Sequence, residues 1–125
     1  MAIIQKTVRL AGSKGQRELT VIFDSGASYS VIQPELAEQL ENPATVPEPM
    51  TFGTAKDGET LTATQRVALN FYIGEYRFSD EFMLIPGLSE LAIIGATTMQ
   101  KWRLKLDFEA DDIIIDPRVT QLRLL

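Results

Sequence analysis

Short runs of apolar and β-branched residues alternate with polar residues along most of the chain. An alternation of period two places successive side chains on opposite faces of a sheet, so it is typical of half-buried strands. Turn signals such as Asp57-Gly58 and Pro86-Gly87 separate the runs at short intervals. The pattern predicts an antiparallel, mostly β protein with strands at residues 3–10, 18–23, 29–32, 61–73, 76–84 and 112–115.

Helical periodicity is confined to two short places. Residues 34–40 begin with Pro34, which suits the first turn of a helix, and a second short helix is expected over residues 97–101, after Gly95. Residues 42–50 carry three prolines and are expected to form an extended loop. No long helices alternate with the strands and no repeat or linker interrupts them, so one domain over residues 1–125 is expected.

Composition narrows the chemistry that these 125 residues can perform. The chain has no Cys and no His, which excludes a thiol nucleophile, a Ser-His triad, disulfides and the usual kind of zinc site. Carboxylates are the most numerous candidates for catalysis, and no metal or other cofactor is expected. A net charge of -5 without clustered Lys and Arg argues against nucleic acid as a partner. The sequence shows neither a membrane-spanning run nor a signal-peptide pattern, which indicates a soluble, cytoplasmic protein.

One turn places an acidic residue directly at the end of a core strand. Val21-Ile22-Phe23 is a continuous apolar run, typical of a strand that is covered on both faces. The residues that follow it are Asp24-Ser25-Gly26-Ala27-Ser28. Asp, Ser and Gly are common turn formers, so an ordinary turn is one interpretation. The other is that the strand delivers a reactive carboxylate, and the neighbouring motifs decide between the two.

A second apolar run, Leu91-Ala92-Ile93-Ile94, ends at Gly95 just before the second predicted helix. Two strand-and-glycine units in this order resemble the retropepsin family of aspartic peptidases, and the resemblance spans residues 21–115. Asp24-Ser25-Gly26 matches the catalytic triplet, Ala27 matches the residue that often follows it, and Ile93-Ile94-Gly95 matches the hydrophobic-hydrophobic-Gly element. The resemblance implies a single-domain, retropepsin-like acid protease barrel with one or two short helices.

The same resemblance implies an aspartic endopeptidase that cleaves a peptide or protein substrate. Its chemistry needs two facing carboxylates, whereas the chain has a single Asp-Ser-Gly turn. A homodimer in which each subunit contributes one Asp24 supplies the pair. Because two adjacent carboxylates share one proton, one acts as a base toward water and the other as an acid toward the scissile carbonyl.

The resemblance also assigns supporting roles. Ser25 and Gly26 are expected to hold the two active-site turns together where they meet. Residues 50–64 resemble the flap, a hairpin that closes over substrate, although a plain surface hairpin is the other interpretation. The implied substrate contacts are Ala27, Ser28, Gly53, Thr54, Ala55 and Ile94.

Three features depart from the family pattern. Ser28 stands where viral members often carry a substrate-binding Asp, Thr97 stands where many relatives have Asp or Asn, and the flap has fewer glycines.

Two other functions stay open. One is a catalytically silent peptide-binding or dimerisation module on the same fold. The other is a phosphate-binding unit, because Asp-x-Gly-x-Ser turns occur in actin-like ATPases, although those need two lobes larger than this chain provides.

The remaining clusters are interpreted as structural. The acidic residues at positions 107, 109, 111 and 112 lack the spacing of a calcium loop and are expected in a solvated turn. The resemblance further implies that Ile3, Ile4 and the last residues pair with those of a partner subunit. Four residues near the second predicted helix are expected to fill the core: Trp102, Leu104, Leu106 and Phe108.

Overall fold

Nine strands and two short α-helices form the part of the chain that the computed structural model describes, residues 3–124. Helix α1 covers Pro34–Leu40 and α2 covers Ala96–Trp102, and a 3₁₀ turn covers Pro117–Thr120. Each α-helix has 7 residues, and no helix within residues 3–124 is long and apolar enough to cross a membrane. The strands are β1 Ile3–Gly12, β2 Gly15–Asp24, β3 Val31–Ile32, β4 Ala44–Gly53, β5 Thr60–Ile73, β6 Tyr76–Leu84, β7 Ala92–Ile94, β8 Lys105–Asp107 and β9 Asp112–Ile114.

Six of these strands close into a barrel. Hydrogen bonding follows the order β1-β2-β7-β3-β6-β5, and β5 returns to β1 through pairs such as Phe71 with Leu10. The first part of β5 pairs with β4 outside this ring, while β8 and β9 form a separate two-stranded sheet. The predicted mostly β barrel with two short helices is confirmed.

Strand β7 connects two distant parts of the chain. It lies between β2 and β3, parallel to the first and antiparallel to the second. Ile22 pairs with Ile93, and Phe23 pairs with Ile94. Because parallel strands end at the same edge of a sheet, this register brings the residue after Phe23 beside the residue after Ile94.

The apolar alternation places one set of side chains inside the barrel. On β2, Val21 and Phe23 are both 0% exposed, and polar or half-buried residues lie between the buried ones. Trp102 packs edge-on against Phe78 and donates its Nε1 hydrogen to the Ser79 carbonyl oxygen at 2.8 Å. The predicted core position of Trp102 is thus confirmed, and its polar edge is satisfied within the core.

The prediction of a loop at residues 42–50 is wrong, because most of this segment belongs to β4. β4 pairs with β5 near both of its ends, and the register shifts between Thr45 and Met50. Pro47 and Pro49 fall inside that shift. Proline has no amide hydrogen for a strand ladder, so it is tolerated at such an irregularity. β3 also differs from its prediction, since it begins at Val31 and not at residue 29.

The predicted core position of Phe108 is also wrong. Phe108 lies in the turn between β8 and β9 and is 55% exposed, whereas Leu104 is 6% exposed. Asp107 accepts hydrogen bonds from the backbone N–H groups of Glu109 and Ala110, which shape this turn. The predicted solvated turn thus holds Glu109 and Asp111, which are exposed, while Asp107 and Asp112 are half-buried at the adjoining strand ends.

The described chain begins in a strand and ends outside one. Ile4 is 2% exposed and belongs to the core, while its neighbour Ile3 is 43% exposed. Residues 121–124 form no strand, and Leu125 lies outside the described residues. Of the residues expected to pair with a partner subunit, Ile4 is thus already buried by its own chain.

Candidate active site

Asp24 is the last residue of β2 and is half-buried. Its Oδ1 accepts a hydrogen bond from the Gly26 N–H at 2.8 Å, and its carbonyl oxygen accepts one from the Ala27 N–H at 3.2 Å. The side chain thus shapes the turn that follows it, as Asp does in an Asx turn. The bond from Gly26 orients the carboxylate, and its partial exposure leaves it accessible to a ligand.

The turn after Asp24 is bound to the start of α2. The Ala27 carbonyl oxygen accepts from the Ala96 N–H at 2.7 Å. The Ser28 carbonyl oxygen accepts from the Thr97 N–H at 3.2 Å and from Thr97 Oγ1 at 2.6 Å. Thr97 therefore supplies a polar anchor at the position where the family pattern favours Asp or Asn. The departure from the family pattern at Thr97 thus keeps a polar contact at this position.

Gly95 lies where the turn and β7 approach most closely. A Cβ built on Gly95 would lie 2.5 Å from the Tyr29 carbonyl oxygen and 2.8 Å from the Ala27 carbonyl oxygen. Both distances are far shorter than a van der Waals contact, and both atoms belong to the backbone. Only glycine fits here, so the missing side chain is what allows the turn to pack onto the end of β7.

Two hydroxyl side chains are buried beneath this contact. Ser30 and Thr98 are 2% and 1% exposed, and their oxygens lie 2.6 Å apart. Ser30 Oγ accepts from the Gly95 N–H at 3.1 Å, and Thr98 Oγ1 donates to Asp80 Oδ2 at 2.6 Å. The sequence does not predict this group, because its members come from three separate segments and no local pattern connects them.

The hairpin predicted at residues 50–64 is formed by β4 and the start of β5. At its tip the Thr54 N–H donates to the Glu59 carbonyl oxygen at 3.2 Å, and Gly58 has a φ of 75°. The Phe52 ring lies edge-on to the Tyr29 ring with centroids 6.0 Å apart, which joins the hairpin to the segment after the Asp24 turn. The predicted contacts Gly53, Thr54 and Ala55 all lie at the tip of this hairpin.

The two isoleucines of β7 have different surroundings. Ile94 is 0% exposed in the main core, so its side chain does not reach the surface of the described chain. Ile93 is half-buried and packs in a second apolar cluster with Val31, Met83 and Phe52. Of the predicted substrate contacts, Ile94 is therefore the one that the structure holds inside the core, whereas Ile93 shares a cluster with the hairpin.

Ser25 is exposed and borders an apolar groove of about 560 Å³. The groove runs between α2 and the segment that follows it, and Met99, Leu104 and Leu106 line its wall. Phe108 lies at its border. An apolar surface thus begins directly beside the Asp24 turn.

Two other carboxylates are paired with cations. The Arg118 guanidinium, by hydrogen bonding, lowers the pKa of Asp116 to about 2. Lys6, by donating to the side chain, lowers the pKa of Asp112. Within residues 3–124, no group of three or more His, Cys, Asp or Glu side chains is arranged to hold a metal ion.

Comparison with known proteins agrees with this geometry. The family model described as aspartyl protease matches residues 7–98, a span that contains the Asp24 turn, the hairpin and Gly95. The retroviral protease-like domain of Ddi1 from Leishmania major is similar in structure, with 17% sequence identity and a TM-score of 0.65, over 90% of this chain and 89% of that one. None of the curated proteins compared with this chain matches it. The chain therefore belongs to the aspartyl protease family, and its fold is retropepsin-like.

Proposed function

We propose that this chain is an aspartic endopeptidase that is active as a homodimer, with Asp24 of each subunit contributing one carboxylate. The observation that carries the proposal is the support given to the Asp24 turn. Three hydrogen bonds and the close approach at Gly95 bind this turn to the junction of β7 and α2. An ordinary surface turn needs no such support, whereas a reactive group must be held in one geometry.

The proposed chemistry needs two carboxylates, and the chain has one Asp-Ser-Gly turn. A two-fold axis beside Asp24 supplies the second from an identical turn. Two carboxylates about 3 Å apart share one proton, because both cannot be ionised at that distance. The ionised member takes a proton from water as the water oxygen attacks the scissile carbonyl, and the protonated member stabilises the developing oxyanion. The tetrahedral intermediate then collapses, and the amine leaves with a proton from the pair.

The surface around Asp24 supports this dimer. Ile3 pairs with Asp24 across β1 and β2 and is 43% exposed. Phe108 and Ile114 are 55% and 49% exposed on the β8–β9 hairpin, and the groove between Phe108 and Ser25 is apolar. Exposed apolar side chains beside an apolar groove are typical of protein interfaces. We infer that the partner subunit covers Ser25 and this groove.

An extended peptide is the proposed substrate, bound between the Asp24 turn and the β4–β5 hairpin. Ala27 and Ser28 are proposed contacts on the turn, with Ser25 and Gly26 supporting the pair of turns. On β7 the half-buried Ile93 is a better candidate contact than Ile94, whose side chain lies in the core. The hairpin supplies Gly53, Thr54 and Ala55 at a tip that can close over a bound peptide.

Cleavage of a peptide library by wild type and by Asp24→Asn tests the mechanism. We expect the variant to lose at least about 100-fold in kcat/KM, because an amide can neither act as the base nor share the proton. Asp116→Asn is the matched control, since Asp116 also accepts a backbone hydrogen bond from a residue two positions later, Arg118, at 3.0 Å. This control is expected to keep wild-type activity. Undiminished cleavage by Asp24→Asn would exclude the mechanism.

The alternative function, a catalytically silent peptide-binding or dimerisation module, makes a different prediction. In that case wild type binds a statine-containing peptide but cleaves nothing in the library. Sedimentation of the wild type tests the shared site independently. A dimer is expected, and a protein that is active while strictly monomeric would contradict the pairing of two Asp24 carboxylates.

A further inference from the structure

A chain of hydrogen bonds, here called the Asp80 relay, connects β6 to the start of α2. Asp80 Oδ2 accepts from Thr98 Oγ1 at 2.6 Å, and Thr98 Oγ1 lies 2.6 Å from Ser30 Oγ. Ser30 Oγ in turn accepts from the Gly95 N–H at 3.1 Å. Both hydroxyl groups are almost fully buried, so water cannot replace any of these three hydrogen bonds unless the fold opens.

The number of available protons fixes the direction of the relay. An ionised carboxylate only accepts hydrogen bonds, and a threonine hydroxyl has one proton to donate. Thr98 donates that proton to Asp80, so the contact between the two hydroxyls uses the proton of Ser30. The Ser30 oxygen is then left to accept from the Gly95 N–H. Asp80 therefore sets the orientation of both hydroxyls, although within the relay it is bonded to Thr98 and not to Ser30.

The Asp80 carboxylate is itself held in place. Its Oδ1 accepts from the Glu81 N–H at 2.8 Å and lies 3.6 Å from Lys101 Nζ. The Asp80 side chain is 17% exposed, so it is shielded from most of the solvent. With Oδ1 occupied, Oδ2 is directed at Thr98, which makes Asp80 a fixed end point for the relay.

We propose that the Asp80 relay positions the catalytic turn, so that Asp80, Thr98 and Ser30 are positioning residues for Asp24. This inference rests on the proposed function. The relay ends at the Gly95 N–H, and Gly95 is the residue against which the Ala27 and Tyr29 carbonyls pack. A shift of Gly95 therefore moves the turn that begins at Asp24. Misplacement of a catalytic group by about 1 Å can cost roughly a hundredfold in rate.

Replacement of Thr98 by Val removes the hydroxyl and keeps a side chain of similar shape. We expect kcat per folded molecule to fall by between about tenfold and a hundredfold, with KM changed by less than about threefold. Thr98→Ser restores a hydroxyl and is expected to keep kcat within about threefold of wild type. Thr20→Val is the matched control, because Thr20 lies on β2 and its hydroxyl pairs with that of Thr7 at 3.4 Å on the exposed surface.

A purely structural role gives a different result. In that case Thr98→Val lowers Tm, but its kcat per folded molecule equals that of wild type, and the proposal is overturned. If Thr98→Val does not fold, Ser30→Ala is tested in its place. Ser30→Ala removes both the contact with the Thr98 hydroxyl and the bond from the Gly95 N–H. Wild-type kcat in folded Ser30→Ala likewise overturns the proposal.

A second measurement does not depend on catalysis. We expect the Gly95 amide hydrogen to exchange at least about tenfold faster in Thr98→Val than in Thr20→Val. The Gly26 amide chemical shift, which reports its bond to Asp24, is expected to move with it. If wild type cleaves no peptide, the proposed function fails while this comparison still tests the relay. Unchanged Gly95 exchange and Gly26 shift would then refute it.

Discussion

Replacement of Gly95 by Ala is the smallest change that tests the close packing around the candidate site. The added Cβ would lie 2.5 Å from the Tyr29 carbonyl oxygen, 2.6 Å from the Tyr29 carbonyl carbon and 2.8 Å from the Ala27 carbonyl oxygen. These atoms belong to the backbone, so they cannot rotate away as the end of a flexible side chain can. The segment from Ala27 to Tyr29 must therefore move away from β7.

That movement strains the hydrogen bonds that cross the contact. The bond from the Ala96 N–H to the Ala27 carbonyl and the bond from the Gly95 N–H to Ser30 Oγ are the two nearest. Loss of both costs about 1–3 kcal/mol in total, and overpacking costs about 1–3 kcal/mol more. We expect the free energy of unfolding to fall by about 2–6 kcal/mol, a large share of the roughly 5–15 kcal/mol typical of a small domain.

Urea denaturation of Gly95→Ala and wild type measures this difference. Both proteins are compared at one protein concentration, because the proposed dimer would make the apparent stability concentration-dependent. Gly53→Ala is the matched control, since a Cβ on Gly53 meets nothing within 4 Å, and its unfolding free energy is expected to change by less than about 0.5 kcal/mol. An equally small change in Gly95→Ala would show that the backbone around Gly95 accommodates a Cβ without cost.

Two further predictions concern the proposed interface and an acidic group. Phe108→Ser is expected to raise the dimer Kd at least about tenfold with little effect on monomer stability, because Phe108 is 55% exposed; an unchanged Kd in sedimentation equilibrium would contradict this. Arg118→Ala is expected to raise the pKa of Asp116 from about 2 toward its ordinary value, because Arg118 provides the hydrogen bonds that lower it. The pKa of Asp116 is lower in the folded than in the unfolded state, so its ion pair stabilises the folded wild type above about pH 4. This stabilisation is lost as the pH falls toward 2. An NMR titration of Asp116 that is the same in both proteins would contradict that assignment.

The elements that carry Asp24 are predictable from sequence because their signals are local. The continuous run Val21-Ile22-Phe23 is long enough to mark a buried strand, and Asp24 follows it as a turn former. Likewise Pro34 marks the start of α1, which begins where the sequence predicts. Each of these inferences depends only on residues that are neighbours in the chain.

The features that sequence reasoning missed depend on distant residues or on degree of burial. Pro47 and Pro49 argue for a loop, and only the register shift against β5 shows how a strand accommodates them. Because Phe108 is apolar, the sequence favours a buried position for it. The sequence pattern does not show that its own chain leaves it exposed. Thr98 and Asp80 are 18 residues apart, and a hydrogen bond at that separation has no periodicity from which to predict it.

The insertion of β7 between β2 and β3 determines when the candidate active site can form during synthesis. Ser30 and Gly95, which meet beneath the Asp24 turn, are 65 residues apart in the chain. A nascent chain that has emerged only as far as β6 already carries Asp24 but lacks the strand on which its turn rests. Contacts between distant residues must first overcome the entropy of closing the intervening loop. The Asp24 carboxylate is therefore fixed in place only after nearly the whole barrel exists, so under the proposed function an unfinished chain has no completed site.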